Sequence, residues 1–178
     1  AQVFKYALQH AAVQGLVLEF GVFNGKSIRM IADMVDGPVH GFDSFEGIPE
    51  DWNHEQAGSY SAQHVLPEVP ANVSLHPGWF HDSIPEFIKE ESGPIRFMNI
   101  DCDLYRSTKV VLSLLAAQVV AGTVIVFDEY IGNTSWQEDE HKALTEVATE
   151  FNWVYKMIDF SFVTKQLVVL VESVVALI

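Results

Sequence analysis

Short apolar runs recur along this chain, and between them apolar positions return every three or four residues, the rhythm of an amphipathic helix. Runs at 16–20, 39–43, 73–76, 95–101, 123–128, 154–160 and 166–172 predict strands, and stretches at 3–13, 26–35, 83–91, 107–119 and 137–151 predict helices. In the fourth of these helices Val110, Val111, Leu114 and Leu115 form one apolar stripe, and Gly122 follows as a stop signal. Alternating strand and helix specifies an α/β chain with a parallel sheet. The last two strand runs have no helix between them. "DFSFVTKQLVVLVES" reads as a hairpin turning near 163–165, so the parallel sheet should finish in an antiparallel strand.

Residues 46–72 break the rhythm, with no period in either sense. A connection this long is uncommon in a compact fold and is usually functional. Trp52 and Tyr60 lie inside it, and the expectation is a mobile lid over a ligand. No internal repeat or low-complexity tract appears, and 178 residues predict one domain spanning 1–178.

The first chemistry-bearing stretch is "LEFGVFNGKS". A phosphate-binding loop of the G-x-x-x-x-G-K-[ST] type needs four residues between its first glycine and the Gly-Lys pair, enough to wrap amides around a polyphosphate. Only Val22, Phe23 and Asn24 stand between Gly21 and Gly25 here, and Glu19 adds negative charge beside the bend. The dinucleotide fingerprint fails too, because its middle glycine is replaced by Phe23. The remaining pattern, E-x-G-x-x-x-G between a strand and a helix, suits a zwitterion whose ammonium tolerates Glu19 while its carboxylate meets free helix amides. Asp43 ends the next strand 24 residues after Glu19, a spacing at which an acidic side chain grips a ribose. Ribose at one end and amino acid at the other describes S-adenosylmethionine.

"LEFGVFNGKS", "GFDSFEGIPEDW", "HPGWFHDSIPEF", "IDCDLYRST" and "VIVFDEYIG" together resemble the class I S-adenosylmethionine-dependent methyltransferases, most closely the macrocin O-methyltransferase (TylF-like) family. The resemblance implies a Rossmann-like, seven-stranded, mostly parallel sheet with helices on both faces and an antiparallel last strand. It implies that Glu19, Gly21, Gly25 and Ser27 surround the methionine end, and that Asp43 binds the ribose with Ser44 and Phe45 beside it. Phe80 and His81 fall where relatives hold the adenine, with Asp82 near its amino group. For Phe80 plain core packing is the simpler alternative, and for His81 a solvated loop histidine.

Asp101 and Asp103 end one predicted strand, and Asp128 and Glu129 end another. In a doubly wound sheet both ends open onto one crevice, where four carboxylates without compensation would raise one another's pKa values. A hard divalent cation such as Mg²⁺ relieves this with all-oxygen ligands. The resemblance to metal-dependent O-methyltransferases, catechol O-methyltransferase among them, implies Asp101, Asp128 and Glu129 as ligands, although the family usually has Asp where Glu129 stands. The alternative leaves Asp101 and its neighbours on the methionine ammonium without a metal. Asp101 is the first candidate base for a substrate hydroxyl and Asp103 the second, its side chain alternating to the other face if the strand continues. His141 in "EDEHKAL" is a third, and the plainer reading makes it a surface residue. Glu138–Glu140 reads as a solvated helix N-terminus.

Composition narrows the partners. A formal net charge of −14 repels phosphate backbones, which disfavours nucleic acid. Cys102 is the single cysteine, so no internal disulfide forms; no apolar run approaches a membrane span; both suit a cytoplasmic enzyme. Ala rather than Met stands first, as in a chain trimmed at its N-terminus. The leading expectation is an O-methyltransferase acting on a small-molecule hydroxyl, a sugar on a natural product before a phenolic diol. A P-loop-like nucleotide hydrolase and a catalytically inactive S-adenosylmethionine-binding module are the alternatives. A homo-oligomer is left open, since "VVALI" at the end can continue the last strand or pack on a partner.

Overall fold

In the computed structural model, which describes residues 2–131 and 134–175, the strands are β1 (Leu16–Phe20), β2 (Val39–Asp43), β3 (Val73–Pro77), β4 (Ile95–Ile100), β5 (Val124–Phe127), β6 (Trp153–Phe160) and β7 (Leu167–Val174). The helices are α1 (Gln2–His10), α2 (Lys26–Ala32), α3 (Phe80–Glu90), α4 (Tyr105–Leu114) and α5 (Glu140–Glu150), with a short 3-10 turn at Ala116–Gln118. These strands form one sheet in the order β3-β2-β1-β4-β5-β7-β6. Pairings from β3 through β5 are parallel, and β7 runs antiparallel to both β5 and β6. The hairpin turns where the sequence placed it: Ser161 N–H donates to the Gln166 carbonyl at 2.9 Å, and Lys165 adopts φ +58°.

Side chains alternate across the pleat and feed two cores. On β5, Ile125 and Phe127 join Ile84, Phe87, Val111, Leu112, Leu144 and Val147 from α3, α4 and α5. Val124 and Val126 join Phe4, Ala7, Leu8, Ile28 and Ile31 from α1 and α2. Helices therefore cover both faces, and the central strands are buried over most of their length, which is why their sequences read as largely apolar runs.

Helix boundaries differ from the sequence reading: α1 stops at His10 and α2 at Ala32, each three residues before the expected end. α3 starts at Phe80, because Trp79 in extended conformation lets the Asp82 and Ser83 amides turn back onto its carbonyl at 2.9 Å. α4 starts at Tyr105 and stops at Leu114, and the 3-10 turn takes over where one long helix was expected. α5 begins at Glu140, so His141 lies in its first turn. The last part of "VVALI", residues 176–178, lies outside the described residues.

The order reverses between β1 and β4: the chain leaves β1 outward to β2 and β3, then returns to lay β4 on the other side. A crevice opens beyond the carboxyl ends of strands at such a point.

Candidate active site

Backbone bonds carry the sheet past its strand ends and lock the tips together. Gly21 N–H donates to the Phe42 carbonyl at 3.0 Å, Asp101 N–H to Phe20 at 2.8 Å, and Asp128 N–H to Ile100 at 2.8 Å. Gly21 sits at φ +91°, and a Cβ there would lie 1.7 Å from the Asp101 carbonyl oxygen, so only glycine allows the bend after β1 to press against the tip of β4. Gly25, at φ +78°, opens α2. Non-glycine residues with left-handed backbone follow β1, β2, β4 and β5: Phe23 (φ +47°), Phe45 (φ +58°), Asp103 (φ +60°) and Glu129 (φ +46°). Such strain persists where the surroundings impose it and gathers at functional sites.

Asp43 holds the glycine bend. Its Oδ2 accepts from the Val22 and Phe23 amides at 2.8 and 2.7 Å, and its Oδ1 from the Phe45 amide at 2.7 Å. The amides that would cradle a phosphate in a P-loop are thus turned onto a carboxylate. Glu19 lies beneath the bend, fully buried. Asn99 Nδ2 donates to its Oε1 at 2.9 Å, while Oε2 has no hydrogen-bond partner. Burial lifts the Glu19 carboxyl from its usual 4.5 to about 8, against the opposing influence of Ser27 and Asn99.

Across the crevice the acids converge as expected. Burial, then Asp128 and Asp103, push the Asp101 carboxyl well above the usual range. Burial, then Glu129 and Asp128, raise Asp103 to about 7. The left-handed turn at Asp103 swings its carboxylate inward, where a continuing strand would have sent it to the other face. Burial also raises Asp128, opposed by a hydrogen bond from Gln166 and by Lys165. Interaction with Asp101 also works against that rise. Glu129 Oε1 faces Lys165 Nζ at 3.7 Å. Among the described residues, no three His, Cys, Asp or Glu side chains are gathered closely enough to hold a metal ion as they stand.

These parts surround a cavity of about 530 Å³. Of the predicted site residues, Gly21, Ser27, Asp43, Ser44, Phe80, Asp101, Asp103, Asp128 and Glu129 line it. Glu19 and Gly25 sit behind the lining, and Phe45 is a core residue, 1% exposed. His81 and Asp82 pair with each other at 3.3 Å on the exposed start of α3, away from the cavity. His141 also stands outside it, its Nδ1 bonded to the Tyr130 hydroxyl at 2.8 Å and its ring against Trp136. Tyr105 donates to Glu146 at 2.6 Å between α4 and α5. The 46–72 loop supplies a wall through Ile48, Pro49, Trp52 and Tyr60. Trp52 Nε1 fastens it to Asp139 at 3.3 Å, and Arg29 donates to the Glu68 carbonyl at 2.9 Å.

Several participants escaped the sequence reading. Asn99 lies inside an apolar strand, and Lys165 and Gln166 lie at the hairpin turn; their approach to Glu19, Glu129 and Asp128 exists only once the strands are ordered. Glu140, read as solvated, is 3% exposed. The one available signal was its place two residues before Lys142 and beside Ala143 and Leu144, on the side of the helix that carries apolar residues.

A model of the family described as a methyltransferase domain matches residues 18–130. The demethyldecarbamoylnovobiocin O-methyltransferase of Streptomyces niveus is 29% identical, the match covering 78% of this chain and 62% of that protein. The 8-demethyl-8-(2,3-dimethoxy-alpha-L-rhamnosyl)-tetracenomycin-C 4'-O-methyltransferase of Streptomyces olivaceus is also 29% identical, with coverages of 66% and 54%. The chain spans less than two thirds of the length of these curated relatives. The crystal structure of the calicheamicin methyltransferase superposes with a TM-score of 0.74 at 21% identity, covering 94% of this chain and 77% of that one, a likeness of fold.

Proposed function

Because this chain belongs to the methyltransferase-domain family, we propose that it transfers a methyl group from S-adenosylmethionine to a hydroxyl of a small molecule, a sugar or other natural-product hydroxyl. The observation that carries this is the contact of the Gly21 bend with the Asp101 tip, with Asp43 on the neighbouring strand and all three lining one cavity. A backbone cradle that any Cβ would fill, beside acidic strand tips, matches a cationic amino acid joined to a nucleoside. Bound there, S-adenosylmethionine supplies a sulfonium methyl open to in-line attack. The names of the curated relatives, both O-methyltransferases and one a 4'-O-methyltransferase of a rhamnosyl compound, support a sugar acceptor. Kinship with the macrocin O-methyltransferases in particular is part of the proposal.

In this reading Gly21, Ser27 and Asp101 face the methionine end, with Glu19 buried beneath the bend. Asp43 and Ser44 face the ribose; Asp43 already accepts three amides and keeps one lone pair, on Oδ1, for a hydroxyl. Trp79 and Phe80 offer flat surfaces for the adenine. Asp103 takes the proton of the acceptor hydroxyl, since a carboxyl near 7 is matched to proton transfer at neutral pH. The protein's remaining contribution is alignment, about 7–11 kcal/mol where reacting groups are held in line. The 46–72 loop closes the site against water as a lid.

A divalent cation such as Mg²⁺ fits through two of the three expected ligands. Asp101 and Asp128, which line the same cavity, would hold it, while Glu129 is drawn to Lys165. Such an ion is content with one or two carboxylates plus water, and would supply Lewis acidity to an acceptor oxygen.

Isothermal titration with S-adenosylhomocysteine and with ATP-Mg²⁺ tests the reading. Micromolar binding of the first and none of the second is expected; the reverse would return the site to the nucleotide hydrolases. Asp103→Asn separates an enzyme from an inactive binding module: methyl transfer falls by about 10²-fold or more while S-adenosylhomocysteine affinity holds.

A further inference from the structure

The segment joining β2 to β3 has an internal structure of its own. Ile48 N–H donates to the Ser59 carbonyl at 3.0 Å, and Gly58 N–H returns to the Ile48 carbonyl at 2.8 Å. Trp52 and Glu55 exchange backbone bonds of 2.9 and 2.8 Å, closing the turn between these two arms. Past Ser59 the chain is tied again, to the Phe45 carbonyl, by the His64 N–H at 3.1 Å and the Ser61 hydroxyl at 3.5 Å. Tyr60 lies between the two sets of bonds, which hold it at φ +61°. That conformation costs free energy in a residue with a Cβ and suits glycine, which adopts it two positions earlier as Gly58, φ +85°.

Burial in a core would offset the strain of an aromatic residue held this way, but Tyr60 is 48% exposed. Its ring meets that of Phe23 edge-on at 6.1 Å and 82°, and Phe23 is itself an exposed, left-handed residue of the glycine bend. The Tyr60 side chain lines the 530 Å³ cavity, whose lining also holds Asp103 and Glu129. Partial burial, then the charges of Glu55 and Asp103, a hydrogen bond with Glu55 and the charge of Glu129 hold its phenol above the usual 10.0. At pH 7 the group is therefore a neutral phenol, unfit as a base, with an oxygen able to accept a hydrogen bond. Backbone strain that packing does not offset, in a residue on the wall of a site, points to a role for the side chain. We propose that Tyr60 positions the methyl acceptor: its phenol oxygen accepts a hydrogen bond from a second hydroxyl of the substrate, beside the one attacked, and so aims the attacked hydroxyl at Asp103. This rests on the methyl-transfer reading, in which Asp103 takes the proton, and adds the group that selects and orients the substrate.

The test follows methyl transfer from radiolabelled S-adenosylmethionine to phenyl α-L-rhamnoside and to each of its single-deoxy forms. Tyr60→Phe should lower kcat/KM for the parent sugar about five- to tenfold, the worth of one neutral hydrogen bond, while S-adenosylhomocysteine affinity stays within twofold. On the deoxy sugar that lacks the bonded hydroxyl, wild type and Tyr60→Phe should be equal, a selectivity that a merely structural residue would not show. No loss on the parent sugar, or the same loss on every sugar, overturns the proposal. Tyr60→Gly reads the strain by itself. Its melting midpoint should stay within about 5 °C of wild type or rise, because glycine accepts φ +61° freely; a larger fall would mean that packing offsets the strain, and would overturn the proposal too. If the wild type methylates none of these sugars, the sugar-acceptor reading falls and this proposal with it. If it methylates them and Tyr60→Phe does so equally well, the proposal falls alone.

Discussion

Asp43→Asn tests whether this carboxylate holds the site together before any ligand arrives. The aspartate accepts three backbone amides, two on Oδ2 and one on Oδ1. Asparagine keeps one acceptor oxygen. Turned toward Val22 and Phe23 it retains two bonds as neutral ones and sets its NH₂ against the Phe45 N–H. A hydrogen bond to a charged group contributes about 1.5–3 kcal/mol and a neutral one about 1. The Phe23 contact is exposed, so the lower end of that range applies, and the combined loss is about 3 kcal/mol. For a chain of this size each kcal/mol moves the midpoint by about 2–4 °C, which predicts a fall of roughly 6–12 °C in ligand-free protein. Thermal unfolding followed by circular dichroism, with a parallel titration of S-adenosylhomocysteine, gives both readouts. A midpoint unchanged within 2 °C, with ligand affinity lost, would refute the reasoning, because Asp43 would then serve the ligand alone.

Gly21→Ala should abolish soluble expression or lower the midpoint by more than 10 °C, since its Cβ meets the Asp101 carbonyl at 1.7 Å; Gly37→Ala, where nothing lies within 4 Å, is the control and should melt like wild type. The folded state binds the Glu19 proton more tightly than the unfolded chain, so the stability due to this group is complete below pH 4.5 and is lost as pH rises through about 8. Melting midpoints of ligand-free protein should therefore fall between pH 6 and 9 by an amount worth a few kcal/mol, and Glu19→Gln should flatten that slope while keeping the bond from Asn99. His40 and His76 act at the acid end: burial lowers both below 6.5, so neutralisation of the pair stabilises the fold above that value, and stability drops as pH falls below it. Limited proteolysis should cut within 46–72 in the ligand-free protein and slow several-fold with S-adenosylhomocysteine present; equal rates would remove the lid.

The order of elements was legible because central strands buried on both faces are mostly apolar, as in β1, β4 and β5, while the half-exposed edge strands β3 and β6 still carried enough apolar residues to be recognised. The gathering of Gly21, Asp43 and the acids at 101, 103, 128 and 129 around one cavity was legible because a doubly wound sheet delivers its strand ends to one crevice. What the amino-acid order could not specify was which groups touch. The exposure of His81 and Asp82 depends on α3 starting at Phe80, a boundary set by backbone turns at Trp79. Asp43 and the amides of residues 22 and 23 meet across two strands, and Glu19 finds Asn99 from 80 residues away. Glu140 looked like one more charge on a helix start; the packing of α5 against the acidic tips made it a buried, unpaired carboxyl. Sequence periodicity reports how each segment meets its own two faces, whereas charge, burial and pKa depend on neighbours that only the closed fold brings within a few ångströms.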